Sequence, residues 1–493
     1  MRSERFIQTF LCLALMVCAF SSPSSSQDAS TATSTTKSSD RSAILQVLPA
    51  SKPATQYKLY DVGTLGGASS VFFNWDYTGG DFTPLPFNAF GQLAGSSILA
   101  SDPNLVGSYL WSFGKLQQLP TLPNGNNDDG GSNANSVNDF GVAVGASAYG
   151  LISPYNGQPF YHAVSWTNGT VKDLGDLGGD DSWANYINDR GLIVGYAHNS
   201  IPDQYSYYGT QFHAATWQSG HIRDLGTLGG TDSEAWTAND KGQVIGIAFL
   251  NTPPVPPFNE PQTDAFLWAN GNMRDLGNLG GGFSTPSAIN QEGQVTVLSF
   301  DASNQHVLSY LWSDGKKYVL PTLGGNFVEA ATLNDWGLVT GAGTDSSDSN
   351  FLAALWIPWL HLKLPLGTVS GDSGSIGLGV NDLGVVVGGS GVITLSSTSY
   401  SHAFVWQYGQ IRDLNTLIPV GSPLTLNVAY AVNNSGMIAG LGTDALGATH
   451  AFVLVPDGFS SPSGFATAAS APAAPGSSVQ AAPRLKHGAR GYR

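Results

Sequence analysis

A phrase of the form Asn-x-x-Gly followed by apolar residues recurs eight times along this chain, and any fold proposed for it must repeat with it. The copies read NAFGQLAG from Asn88, NDFGVAVG from Asn138, NDRGLIVG from Asn188, NDKGQVIG from Asn239, NQEGQVTV from Asn290, NDWGLVTG from Asn334, NDLGVVVG from Asn381 and NNSGMIAG from Asn433. Their spacings are 50, 50, 51, 51, 44, 47 and 52 residues. A second phrase, HAFLW-like, ends at Trp111, Trp166, Trp217, Trp268, Trp312, Trp356 and Trp406, with a Trp-less copy at 450–454. A third, DLGTLGG, stands at 61–67, 173–179, 224–230 and 275–281, with degraded copies at 119–122, 320–325, 364–367 and 413–417. Three phrases in constant order at one period describe a single supersecondary unit copied along the chain.

Each unit reads as four short strands. In the third repeat, 183–188 alternates polar and apolar residues before the turn Asp189-Arg190-Gly191, and 192–197 is rich in strand formers. A variable loop leads to 212–217, and the turn Gln218-Ser219-Gly220 leads to 222–225. Asn, Asp and Gly in such turns supply the positive φ that tight hairpins need. Beyond the N-terminal segment no stretch keeps a 3.6-residue apolar period for ten residues. About fifty residues, four strands and hairpin turns predict an all-β chain: an eight-bladed β-propeller of four-stranded antiparallel blades, of kelch-like repeat length. Seven blades is the alternative, because the first unit (68–97) is irregular.

The phase of the ends predicts closure. The first complete phrase, 57–67, is a fourth strand lacking its HAFLW partner, and the last, 450–455, is a third strand lacking its sequel. Joined, they make one closing blade from both chain ends, which removes a free sheet edge.

Composition narrows the rest. With 11% charged residues the chain is no coiled coil, and 35 acidic against 20 basic side chains argue against a nucleic-acid partner. Cys12 and Cys18 are the only cysteines, which excludes a disulfide scaffold and a multi-cysteine zinc module. Residues 1–22 begin with a basic stretch and continue as a short apolar run. They read as a signal peptide, too short for a membrane span. A Ser/Thr-rich linker (23–56), the propeller (57–458) and an Ala/Pro/Ser-rich tail (459–493) follow, the linker and tail having the composition of disordered segments. The expectation is a secreted or envelope-associated monomer without a transmembrane segment.

The copies HAATWQSGHIRDLGTLGG (213–230) and DAFLWANGNMRDLGNLGG (264–281) resemble the HAF repeat of predicted bacterial extracellular proteins. The resemblance extends over nearly all of 57–458. It implies an exported repeat protein and carries no assigned activity.

The tight turns fall on one face of such a propeller, while the LGG connections and variable loops, at about 148–160, 198–211, 249–263, 342–351 and 389–401, share the other. Function collects on loops held by a rigid scaffold, so the long-loop face is the expected binding surface. Tyr155, Tyr205, Tyr207, Tyr208 and Phe258 lie in those loops, placed either to stack on sugar rings or anchor a protein, or to pack their own loops. Asp128, Asp129, Asp180, Asp181, Asp232 and Asp372 follow LGG-type turns. A ring of carboxylates there could take Ca²⁺. The competing reading has each Asp or Ser accept backbone N–H groups within its own turn. His162, His213, His402 and His450 share one repeat position, read as a strand-start hydrogen bond, and the repeated Trp as core between blades.

There is no nucleophile–His–Asp motif, phosphate loop or HExxH, and no catalytic residue is assigned. The chain therefore reads as a non-enzymatic binder of an extracellular glycan or protein. A polysaccharide hydrolase or lyase using pore carboxylates, and a structural envelope protein, are the alternatives. Glu234, Glu260, Glu292 and Glu329 are the only glutamates in 57–458.

Overall fold

The computed structural model describes residues 55–71, 86–102, 105–124, 131–203, 206, 209–254 and 261–459. The signal-peptide expectation for 1–22, and those for nearly all of the linker and tail, lie outside these residues. Among them the chain is all strand apart from two short 3₁₀ turns, Pro358–Leu360 and Leu414–Leu417.

The strands form eight four-stranded antiparallel meanders, here called blades. Blades 1 to 7 lie within 66–118, 132–173, 178–224, 229–275, 280–319, 328–365 and 374–413. Blade 8 takes Leu424–Val432, Ile438–Asp444 and Thr449–Pro456 from the C-terminal side and Tyr57–Asp61 from the other end of the chain. Tyr57 stands opposite Pro456 and Asp61 opposite Phe452, so the two ends meet in one sheet, as the phase of the phrases predicts. Neighbouring blades touch through single bridges at two places, Thr263 with Phe283 and Gly389 with Val428. The architecture is a β-propeller.

Local chemistry explains the hairpins. Asn168 and Gly169 both have positive φ, 51° and 76°, the pair that a two-residue type I′ turn requires. In the Asn-Asp-x-Gly turns the asparagine side chain does more. Asn188 Oδ1 accepts the N–H groups of Arg190 and Leu192, while its Nδ2 donates to Asn239 O at 2.8 Å in the next blade. The same inter-blade bond links Asn88, Asn138, Asn239, Asn290, Asn334 and Asn381 each to its successor. The last glycine of the phrase is needed for close approach: at Gly195 an added Cβ would run into the carbonyl oxygen of Trp183.

The core lies between blades. At the 2/3 interface Val144 and Ala163 pack on Ala184, Ile187, Ala215 and Trp217, and at the 5/6 interface Leu311 and Leu320 pack on Val328, Ala330, Ala354 and Trp356. Trp111, Trp166 and Trp356 are at most 1% exposed, and a repeated indole fills every wedge but the 7/8 one, where Phe452 and Leu454 stand instead. The 8/1 interface is built the same way, with Leu93, Tyr109 and Trp111 against Met437, Ala439, Ala451 and Val453.

The innermost strand of blades 2 to 8 carries a bulge at an equivalent place, between Ala184 and Tyr186 in blade 3 and Ala235 and Thr237 in blade 4. The bulged Asn185 reaches the next blade, donating to Ala235 O at 3.0 Å.

Candidate functional site

The connection entering each blade is pinned to the blade before it. Ser182 Oγ accepts the Ala163 N–H at 2.9 Å and donates to Gly175 O, and Ser233 and Ser284 repeat both bonds. Asp181 Oδ1 accepts the Tyr161 N–H and Asp232 Oδ1 the Phe212 N–H, each at 2.8 Å. The turn reading of these residues is therefore corrected in one respect. The acceptors reach across to the preceding blade, where they satisfy third-strand amides.

Among the described residues the Ca²⁺ ring is not assembled. Asp181 and Asp232 are enclosed in separate interfaces, Asp372 bonds His402 Nδ1 at 2.9 Å, and Asp128 and Asp129 lie outside the described residues. Among the described residues no group of three or more His, Cys, Asp or Glu side chains is arranged to hold a metal ion.

Three of the four repeated histidines pair with the aspartate of the DLG phrase in their own blade, His213 with Asp224 at 2.8 Å and His450 with Asp61 at 3.0 Å across the two chain ends among them, while His402 takes Asp372. His162 is held twice, by Asp173 at Nδ1 (2.9 Å) and Asp176 at Nε2 (3.1 Å). Burial disfavours its imidazolium, but the bonds to Asp173 and Asp176 and their charges outweigh it and push the group up to about 9. In blade 4 Asp264 takes the histidine's place, and burial pushes it up to about 6 although Asn278 and Ser284 donate to it.

The long-loop face is uneven. In blades 5, 6 and 8 the second-to-third strand connections are tight turns capped by Asp301, Asp345 and Asp444. The long loop expected at 342–351 is thus a compact turn, in which Asp345 Oδ1 accepts the Ser347 and Ser349 N–H groups. The contiguous blades 2, 3 and 4 make this connection through 153–158, 203–209 and 251–262. Leu151, Ile152, Tyr155 and Ile201 there are all at least half exposed. Tyr155 belongs to blade 2 but its ring lies against the blade 3 loop, 2.8 Å from where a Cβ on Gly209 would stand. The patch is therefore a joint surface of two loops. Tyr205, Tyr207, Tyr208 and Phe258 fall in the same connections and lie outside the described residues.

Beneath this sector is a layer of buried polar groups that repeat-based reading missed. His198 is enclosed, bonds Thr210 Oγ1 at 3.0 Å, and is driven by burial down to about 3. Asp203 meets Asp232 from the next blade. Asp203 stands in a variable loop where no repeat marks it, and only Pro202 before it signals a fixed turn.

On the inner strand of blade 4, Glu234 is buried and accepts Asn185 Nδ2 at 3.0 Å. Burial pushes it up to about 7 against the hydrogen bonds of Asn185 and Trp236.

No family model and no curated protein matches the chain. Among solved structures it is similar to the β-propeller domain of the Trilobed protease from Pyrococcus furiosus, with 11% identity, 68% of this chain and 96% of that one covered, and a TM-score of 0.38. It is also similar to oligogalacturonate lyase from Vibrio parahaemolyticus, with 10% identity, coverage of 83% and 96%, and a TM-score of 0.36. A third is the GH32 β-fructofuranosidase of Bombyx mori, with 10% identity, coverage of 84% and 94%, and a TM-score of 0.25. Likeness this distant says nothing of what this chain binds or turns over.

Proposed function

We propose that this protein is an exported, non-enzymatic scaffold of HAF-type repeats that binds an extracellular protein or glycan through the loops of blades 2 to 4. The observation that carries the reading is the patch of Leu151, Ile152, Tyr155 and Ile201, exposed on a rigid ring between two interlocked loops. Three aliphatic side chains to one aromatic ring suit a protein partner better than a stacked sugar. The test compares purified full-length protein with a Tyr155→Ser/Ile201→Ser variant for retention on immobilised polysaccharides and on intact cells, with sugar release measured alongside. Retention lost in the variant at an unchanged melting temperature supports the reading. Equal retention by both proteins removes the patch, and release of sugar fragments replaces binding with catalysis.

One observation favours the enzymatic alternative. Glu234, at about 7, holds its proton near neutral pH as a general acid must. Its carboxyl is engaged by Asn185 in a buried interface, however, a setting that serves structure more directly than chemistry.

A further inference from the structure

Two turns of blade 6 carry large apolar side chains into solvent on the tight-turn face, where the repeat does not call for them. In the Asn-x-x-Gly turns of blades 3, 4, 5 and 8 the third position is Arg190, Lys241, Glu292 and Ser435, each giving its backbone N–H to the asparagine Oδ1. Trp336 in blade 6 and Leu383 in blade 7 make the same backbone bond, so the turn forms whatever side chain stands there. Both are exposed, by 69% and 74%. The third-to-fourth strand turn of blades 1 to 5 and 7 is a pair of residues with positive φ, such as Asn168-Gly169 and Asp314-Gly315. Blade 6 makes the 3₁₀ turn Pro358–Leu360 instead and ends it at His361, with φ 51°. That turn presents Trp359 and Leu360, exposed by 46% and 55%.

These four side chains belong to one surface. The Asp335 N–H donates to Asp382 Oδ1 at 3.0 Å, which sets the residues that follow, Trp336 and Leu383, on adjoining turns. The Trp359 ring lies 3.0 Å from where a Cβ on Gly337 would stand, so the 3₁₀ turn abuts the Trp336 turn. Large apolar groups gathered in this way mark a contact surface, and tryptophan is among the residues that carry most binding energy.

The charge around the patch is negative. Asp335 Oδ1 accepts the Gln291 N–H at 2.9 Å, and Asp139, Asp189, Asp240 and Asp382 are held in the same way around the ring. The Asn-x-x-Gly turns of blades 6, 7, 8, 1 and 2 contain no Lys or Arg. Lys363, on the strand after the 3₁₀ turn, donates to Thr322 O in a connection on the opposite face. Lys241 in blade 4 is paired with Glu292 at 3.6 Å. A second copy of this face, or an anionic lipid surface, would set like charge against like. Cations interspersed with apolar groups meet both features, since they pair with the carboxylates and stack on the indoles.

We propose that the tight-turn face of blades 6 and 7 docks a cationic, apolar peptide segment of another protein, with Lys or Arg at Asp335 and Asp382 and apolar side chains on Trp336, Trp359, Leu360 and Leu383. The surface lies on the face opposite the Tyr155 patch and does not rest on the function proposed above.

The test titrates the full chain into fluorescein-labelled dodecapeptides of alternating Lys and Leu, Glu and Leu, or Lys and Ser, read by anisotropy. The Lys/Leu peptide should bind saturably, and the other two at least about tenfold more weakly. Trp336→Ser/Leu383→Ser should lose about tenfold or more in affinity at an unchanged melting temperature, because Ser435 already fills the same turn position. Asp335→Asn keeps an oxygen for the Gln291 N–H and should weaken binding through charge alone. No saturable binding by the parent, equal binding by either variant, or equal affinity for the Glu/Leu peptide would overturn the proposal. A dimer of the parent, or its adsorption to phosphatidylcholine vesicles, that Trp336→Ser/Leu383→Ser abolishes would overturn it in favour of a second copy or a lipid surface. Tyr155→Ser/Ile201→Ser should bind the Lys/Leu peptide as the parent does, so the two faces fail or stand separately.

Discussion

Asn433 donates its side-chain amide to the backbone carbonyl oxygen of Asn88 at 3.3 Å, joining residues 345 positions apart. This bond completes a belt in which eight asparagines each clasp the next, and it closes where the covalent chain does not. The repeated Asn is thus two devices in one side chain. Its oxygen shapes the local turn, and its nitrogen sets the angle to the next blade.

Asn188→Ala would orphan the Arg190 and Leu192 amides and take the inter-blade donor from the Asn239 carbonyl, which keeps only the Gly242 N–H. Unpaired buried groups cost about 1–3 kcal/mol each, and water can reach some of these at the turn, so a net loss of roughly 2–4 kcal/mol is expected. Urea denaturation checks it, and an unmoved midpoint would show that the belt is ornamental.

Closure through blade 8 gives the second prediction. Removing Tyr57–Asp61 strips Thr449–Pro456 of its edge partner, takes Tyr57 from the 7/8 core and leaves His450 without Asp61. Such a deletion should lower the melting temperature by many degrees, as should deletion of 450–457 at the other side of the same sheet. A ring held only by its inner belt would tolerate both.

The repeat made the blades, their turns and the meeting of the chain ends legible, because each depends on residues recurring at a fixed period. The candidate site was legible only as a face. Tyr155 lies in an irregular loop, and its packing on Gly209 depends on how two loops meet in space. Asp203 and Asp232 are 29 positions apart, and nothing periodic relates them. The direction of the Asp181 and Ser182 bonds, to the preceding blade rather than their own turn, follows from blade packing, which a strand pattern does not encode.

His162 should make stability fall on the alkaline side. Its pKa is near 6.5 in the unfolded chain and about 9 in the folded one, so the folded state binds the proton more tightly. The contribution is full below pH 6.5 and is lost as pH rises through 9. With Asp173 partly exposed to solvent, it is worth roughly 1–2 kcal/mol. His162→Gln should therefore be less stable than the parent at pH 6 and nearly equal to it at pH 10, measured as urea midpoints. A constant difference across that range would mean the ring contributes by packing on Tyr149, whose centroid lies 4.0 Å away, rather than by charge.

Glu234 titrates with the same sign for the opposite reason. Burial raises it from the usual 4.5 to about 7, so the folded state prefers the neutral acid. Stability attributable to it is complete below pH 4.5 and declines as pH rises through 7, because above that the fold must hold an unpaired buried charge. Glu234→Gln keeps the shape and an oxygen to accept from Asn185 Nδ2, but cannot ionise. The variant should match the parent near pH 4.5 and exceed it at pH 8, by about 3 kcal/mol at the upper bound that 2.5 pH units set. Denaturation midpoints at pH 4.5, 6 and 8 test the sign directly. Should the variant be the less stable protein at pH 8, the ionised carboxylate has a counter-charge in the fold, and Glu234 loses its claim as a proton-holding general acid.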